Sequence, residues 1–245
     1  MAKFAVIIAA AGKAERFGGK EKKTFAKLDG RPVFLRSIEH FLSRDEVCAI
    51  LLAVAPEDLS MVKSTYGANL GFMGVKLVEG GETRSDTVRA ALDAVPAEAD
   101  FVAVHDAARP CVTAEMIDAV FAEAKKSGAA ILATPLTGTL KRVADSMVIE
   151  KTEPRAGLFE AQTPQVFRRE VLKAAYDALK ADRRAEVTDD AQVVELSGHP
   201  VSVVASDPTN LKITTKADMA LAHSILKSRP SKPVPKLGAF EEAQW

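Results

Sequence analysis

Net charge is missing from this sequence: 33 Lys and Arg balance 33 Asp and Glu in 245 residues. That excludes a nucleic-acid binder working by bulk charge, though a local cationic pocket is still allowed. Cysteine is scarce. Cys48 and Cys111 stand singly, with no C-x-x-C. This argues against a disulfide framework or a structural zinc site, and it suits a reducing cytoplasmic compartment. No apolar run approaches the roughly 20 residues that span a bilayer. The opening MAKFAVIIAA is too short and too soon interrupted for a signal peptide. Two nucleotide motifs are also absent, the G-x-x-x-x-G-K-[ST] P-loop and a G-x-G-x-x-G after the first strand.

Apolar residues are plentiful, at 47% of the chain, enough for a sizeable core. Phe4–Ala9, Val47–Val54, Val75–Val78, Phe101–Val104 and Ala129–Thr134 are short, largely continuous apolar runs. They read as strands buried on both faces, as in a parallel sheet. Amphipathic stretches lie between them, at Pro32–Leu42, Thr83–Val95 and Ala114–Lys126, the last capped by Thr113. The rhythm predicts an α/β protein with a doubly wound, mostly parallel, Rossmann-like sheet, and a ligand beyond the carboxyl ends of the strands. Thr139–Val143 and Met147–Lys151 read as a hairpin around an Ala-Asp-Ser turn, projecting between the fifth strand and the next helix. Its apolar residues have too little partner surface of their own, so residues 137–161 are expected to form a dimerisation arm. Helices over Arg169–Ala181, over Asp189–Leu196 with Thr188 as cap, and over Lys216–Leu226 follow, with a strand at Val201–Ala205. Residues 1–227 make one domain, and 228–245, with Pro230, Pro233 and Pro235, a flexible tail.

The first strand empties into AAAGKAERFGGKEKKTF, Ala9 to Phe25. Ala10, Ala11 and Gly12 carry little side chain, so backbone N–H groups can approach an anion closely. Lys13, Arg16, Lys20, Lys22 and Lys23 follow, a charge density suited to polyphosphate. An ordinary basic turn explains the loop alone equally well.

The remaining stretches decide. In VEGGETRSDTV, Gly80 and Gly81 allow a tight turn against which a flat base can lie, with Arg84, Ser85 and Thr87 near a helix start. In VAVHDAARPCV, Asp106 ends an apolar strand at the same rim, a natural Mg²⁺ ligand beside phosphate oxygens. Arg109 is placed to bind an anion or to orient Asp106, and His105 reads as structural. EAQTPQVF, AEVTDDAQ and DPTNLKITT add polar groups that surface capping explains as well; Lys212 suits a phosphate or steadies the first loop. Rim glycines, one metal-type Asp and several cations, without a Ser-His-Asp set, paired glycosidase carboxylates or a nucleophilic Cys motif, point to nucleotidyl transfer. A phosphate monoester is already a nucleophile. The site must supply alignment and positive charge at the α-phosphorus, for which Arg16 and Lys23 are the best candidates.

Together AAAGKAERFGGKEKKTF, GGETRSDTV, HDAARP, TLKR, AQTPQVF, VTDDA and TNLKIT occur in the order and spacing of one family. From Lys3 to Leu226 the chain resembles the 2-C-methyl-D-erythritol 4-phosphate cytidylyltransferases. The resemblance implies CMP transfer from CTP to that polyol phosphate, with Mg²⁺ or another divalent cation. By it, Arg16 and Lys23 are catalytic and Asp106 holds the metal. Ala10, Ala11, Gly12, Gly81, Glu82, Thr87 and Ala107 take CTP. Arg109, Thr139, Arg155, Thr163, Thr188 and Lys212 surround the acceptor or brace the site. The arm crosses to a partner subunit in a homodimer, and neither nucleic acid nor membrane is a partner. The chain departs from the family at Ala14, where glycine is common, and at Lys22-Lys23-Thr24, where Pro-Lys-Gln is. It departs also at Glu82 and Thr87, where Asp and Ser are frequent. Lys22 is an extra cation, read as a phosphate contact or a solvated side chain. A cytidylyltransferase for another polyol phosphate, such as ribitol 5-phosphate, and a non-catalytic nucleotide-binding scaffold are the alternatives.

Overall fold

The computed structural model describes residues 1–12, 17, 22–180, 183 and 186–229. Its elements run β1 (Phe4–Ala9), β2 (Lys27–Leu28), β3 (Arg31–Pro32), α1 (Val33–Leu42), β4 (Val47–Val54), α2 (Pro56–Phe72), β5 (Val75–Glu79), α3 (Arg84–Asp93) and β6 (Phe101–Asp106). After these come α4 (Ala114–Ser127), β7 (Ala129–Pro135), β8 (Leu140–Val143), β9 (Ile149–Glu153), β10 (Phe159–Arg168), α5 (Arg169–Ala178), α6 (Asp190–Leu196), β11 (Ser202–Ala205) and α7 (Lys216–Ser228). The expectation for the tail beyond Arg229 lies outside the described residues.

A strand covered by helices on both faces is apolar at every position, and β1 is such a strand. Phe4, Val6 and Ile8 join one core with α1, α2 and α4. Ala5 and Ile7, pointing the other way, join a second core with α3, α5 and α6. Phe4 stacks on Phe121 at 4.0 Å and on Phe101 at 5.1 Å. Removing that ring would cost about 3–5 kcal/mol.

The sheet has seven strands in the order β11-β7-β10-β6-β1-β4-β5. All neighbours are parallel except β10, which is antiparallel to both β6 and β7. The chain leaves β1 toward β4 on one side and later places β6 on the other. The β1–β6 boundary is therefore the point where strand order reverses, and a ligand crevice forms at such a point. Ala9 and Asp106, the last residues of these strands, are paired there.

The structure corrects several expectations. A full strand, β10, lies between the hairpin and the next helix. The helix α2 and the two-residue pair β2–β3 were not anticipated. Asp189, not Thr188, caps α6: its carboxylate accepts the Gln192 N–H at 2.9 Å. The hairpin β8–β9 does form, as a separate two-stranded sheet, with Met147 at its turn 84% exposed.

Candidate active site

Four segments converge on the carboxyl end of β6. Asp106 closes the strand and is only 6% exposed. Its carboxylate pairs with Lys212 at 2.7 Å, Arg84 at 3.4 Å and Arg109 at 3.6 Å. Burial alone would push its pKa up; the three cations override that and hold it far below the usual carboxylate range.

Each cation is itself fixed. Arg84, in the first turn of α3, reaches past Asp106 to Asp190, at 2.6 Å. Asp190 is wholly buried and also accepts from the Tyr176 hydroxyl at 2.6 Å. The Gln165 side-chain oxygen takes the N–H groups of Asp190 and Ala191, both at 3.0 Å. Arg109 is buried beneath the rim, donating to the carbonyls of Asn210 at 2.7 Å and Ala161 at 3.3 Å. Burial lowers its pKa. Asn210 donates onward to Gln162 at 3.0 Å and to the Thr163 carbonyl at 3.1 Å. Lys212 is carried by a segment held at Ile213, whose N–H donates to Ala108 at 2.8 Å.

Beneath Asp106 the polar groups are satisfied in series. The Thr163 hydroxyl accepts the Asp106 N–H at 3.0 Å and faces His105 Nδ1 at 3.0 Å. His105 Nε2 faces the Arg109 carbonyl at 3.1 Å. A proton on Nε2 satisfies every one of these contacts, so the ring is a neutral brace. Its burial pushes its pKa down to about 3.

A cavity of about 100 Å³ opens above this layer, lined by Ala9, Ala11, Gly12, Lys23, Thr24, Arg84, Thr87, Asp106, Ala108 and Lys212. A larger hollow of about 150 Å³ lies between α5 and α6. Among the described residues it is lined by no carboxylate and no strand end, whereas the smaller one lies at the strand-order reversal beside Asp106. Gly80 and Gly81 are required by close approach. A Cβ on Gly80 would sit 2.9 Å from both Thr87 and the Val54 carbonyl, and one on Gly81 2.4 Å from Asp86. The Thr87 hydroxyl accepts the Gly81 N–H at 3.2 Å and donates to the Thr83 carbonyl at 2.8 Å, tying this turn to α3.

The residues expected at the site divide into groups. Ala11, Gly12, Lys23, Thr87, Asp106 and Lys212 line the cavity, and Gly81 adjoins it through Thr87. Arg109 and Thr163 lie just below and brace Asp106. Ala10 and Ala107 do not offer their backbone N–H groups to a ligand. Ala10 donates to the Ala53 carbonyl at 2.8 Å and Ala107 to the Ala9 carbonyl at 3.1 Å, because both residues extend the sheet. Ala108, not named from the sequence, lines the cavity. Glu82 is exposed. Thr188 is exposed and bonded to Gln192, and it does not line the cavity. Thr139 and Arg155 are exposed at the base of the hairpin, where Arg155 holds the Thr137 carbonyl. Arg16 and Ala14 lie outside the described residues. Lys22, read as a phosphate contact or a solvated side chain, pairs with Asp58 at 2.6 Å and Glu57 at 2.9 Å. Asp190, Tyr176 and Gln165 were not foreseen as supports of Arg84. The one available signal was the pair of adjacent carboxylates in VTDDA.

The donor set bears on a divalent cation. Among the described residues, Asp106 is the one carboxylate lining the cavity, and no group of three or more His, Cys, Asp or Glu that could hold a metal occurs. Among the described residues, no cage built of protein alone fits. Magnesium that takes one or two carboxylates and completes its shell with phosphate oxygens and water does fit.

Comparison with known proteins identifies the family. The family model for 2-C-methyl-D-erythritol 4-phosphate cytidylyltransferase matches residues 4–228. A protein of that name from Rhodopirellula baltica is 42% identical over 236 residues, 92% of this chain and 95% of its own. One from Dechloromonas aromatica is 39% identical over 227 residues, 91% of this chain and 97% of its own. The crystal structure of the Francisella tularensis protein of that name superposes with a TM-score of 0.75 at 31% identity, covering 92% of this chain and all of the other. Matched nearly end to end in sequence and in structure, the chain belongs to the 2-C-methyl-D-erythritol 4-phosphate cytidylyltransferase family.

Proposed function

We propose that this chain transfers CMP from CTP to 2-C-methyl-D-erythritol 4-phosphate. The observation that carries the reading is Asp106, kept ionised at the strand-order reversal between Lys212, Arg84 and Arg109 and facing a cavity of small residues and Lys23. An oxygen of the acceptor's phosphate forms a bond to the α-phosphorus of CTP. The bond to the bridging oxygen breaks, and pyrophosphate leaves with the electron pair. No strong base is required, which agrees with a histidine locked neutral below the rim. Lys23 supplies positive charge as the phosphorus becomes five-coordinate, and Arg16 is assigned the same task. Ala11 and Gly12 admit the phosphates, and Gly81 with Thr87 shapes the edge against which cytosine lies. Lys212 exchanges its contact with Asp106 for phosphate. A divalent cation bound by Asp106 would neutralise charge on the leaving pyrophosphate.

The reading extends to a homodimer through the hairpin. Met147, Val148, Ile149 and Phe159 are exposed apolar side chains on or beside it. Thr139 and Arg155 sit at its base, away from their own cavity, as residues serving a neighbour's site would. Pyrophosphate release with Mg²⁺ and CTP tests the reaction, comparing methylerythritol phosphate, ribitol 5-phosphate and no acceptor. Release with methylerythritol phosphate alone is the expected result. Release with ribitol 5-phosphate instead would change the substrate, and release with neither, from protein that still binds CTP, would favour a scaffold.

A further inference from the structure

The ion pair of Lys22 has a place in the fold that the proposed reaction does not use. Its Nζ lies 2.6 Å from Asp58 Oδ2 and 2.9 Å from Glu57 Oε1, in the first turn of α2. Two carboxylates there are favoured by the helix dipole, and they absorb the charge of Lys22. Burial opposes that charge, but the hydrogen bonds and charges of Asp58 and Glu57 prevail, and the ammonium pKa is raised. Lys22 does not line the cavity, whereas its neighbour Lys23 does.

The backbone at Lys22 is equally constrained. Its carbonyl accepts the Phe25 N–H at 2.9 Å and the Ala26 N–H at 3.2 Å, closing a turn. Phe25 is buried against Phe34, whose ring packs edge-on to Tyr66 of α2. At the other end of the first loop, Ala10 is bonded to Ala53 of β4, the strand that leads into α2. Both ends of the loop are therefore tied to one strand–helix corner, the first by a backbone bond and the second by an ion pair. A proline at this position would restrict the backbone covalently. Here the restriction comes from a side chain 35 positions from its partner Glu57 and 36 from Asp58.

We propose that Lys22 is a positioning residue, whose ion pair with Asp58 and Glu57 fixes the turn that presents Lys23 to the cavity. The proposal rests on the role given to Lys23 above, so its test has one reading with activity and one without.

Lys22→Met, Asp58→Asn, the double variant and Lys22→Arg are compared with the unaltered chain by pyrophosphate release and by amide hydrogen exchange. Lys22→Met and Asp58→Asn should each lower kcat about tenfold, the order of a charge-assisted hydrogen bond. KM for CTP should stay within about twofold, since the loss falls on the transition state. The double variant should be no slower than the slower single, because both remove one interaction. Lys22→Arg should recover most of the rate. The Phe25 and Ala26 amides should exchange about tenfold faster in Lys22→Met. Unchanged exchange of these amides overturns the tether, whatever the activity. Faster exchange with unchanged kcat overturns its consequence for Lys23. An unaltered chain that releases no pyrophosphate overturns the functional reading, and the exchange comparison still decides the tether. Should Asp58→Asn fail to fold, the contrast of Lys22→Met with Lys22→Arg carries the test.

Discussion

Two guanidinium–carboxylate pairs in this protein have the same length and different surroundings. Arg84 meets Asp190 at 2.6 Å, and Arg142 meets Glu153 at 2.6 Å. Asp190 is wholly buried, shares its second oxygen with Tyr176 and is held through its backbone by Gln165. The Arg142 side chain is 60% exposed on the projecting hairpin, where water and salt compete for it. Distance alone does not distinguish them; the cost of leaving a partner unpaired does. At the rim, charges brace one another and set the protonation of Asp106. On the hairpin, the pair lies at the surface, where water screens it.

The comparison can be broken most decisively at the cavity. Lys23→Ala should lower kcat by about 10²–10³ while CTP binding is largely kept, as loss of one transition-state donor does. Unchanged turnover in single-turnover kinetics would remove Lys23 from its role. Next in size, Arg84→Met should cost about 2–3 kcal/mol in urea denaturation, because Asp190 stays buried without its cation. It should also slow pyrophosphate release, since Asp106 loses a partner.

Acid should separate the two regions more gradually. His105 is neutral in the folded protein until about pH 3, whereas an unfolded histidine takes a proton near pH 6.5. The unfolded chain therefore binds more protons between those values, and folding stability should fall by up to about 1.4 kcal/mol per pH unit as pH drops from 6.5. Buried His40, whose pKa burial also lowers, acts in the same direction. Asp106 adds to the loss at lower pH, once unfolded carboxylates protonate. Denaturation at pH 7, 5.5 and 4.5 should give a shallower slope in His105→Gln; an identical slope would show that the ring is not the titrating group. The smallest effect belongs to the hairpin: Arg142→Met should move Tm by less than about 2 °C, read by calorimetry in low salt.

How much of this the sequence disclosed follows from which residues meet locally. β1, β4, β6 and β7 are nearly unbroken apolar runs, because helices cover both faces, and they could be read directly. β10 could not. Its middle reads Gln162-Thr163-Pro164-Gln165, polar residues where a central strand is expected to be apolar. They are buried because their side chains are spent on Asn210, His105 and α6. In α2 only Asp58, Val62 and Leu70 are buried, too sparse a face to show a helical period. The rim motifs named Asp106, Lys23 and Lys212, which line one cavity, since a strand end and a small-residue loop are local signals. The supports of Arg84 and the partners of Lys22 lie tens of residues away, and only the folded chain brings them together. Ala10 was assigned to a ligand by its smallness and Ala107 by the family resemblance; the backbone N–H of each is bonded within the sheet.

One feature of the sheet has an architectural consequence. β7 and β10 are adjacent and antiparallel, paired up to Pro135 and Phe159, and the ladder continues where the Leu136 N–H meets the Leu158 carbonyl at 3.1 Å. The two strands would close as an ordinary hairpin if nothing lay between them. Residues 137–157 are thus an excursion spliced into the bend of that hairpin, entering and leaving at neighbouring points. The arm therefore meets the seven-stranded sheet at a single bend, and none of that sheet's strands lies within it.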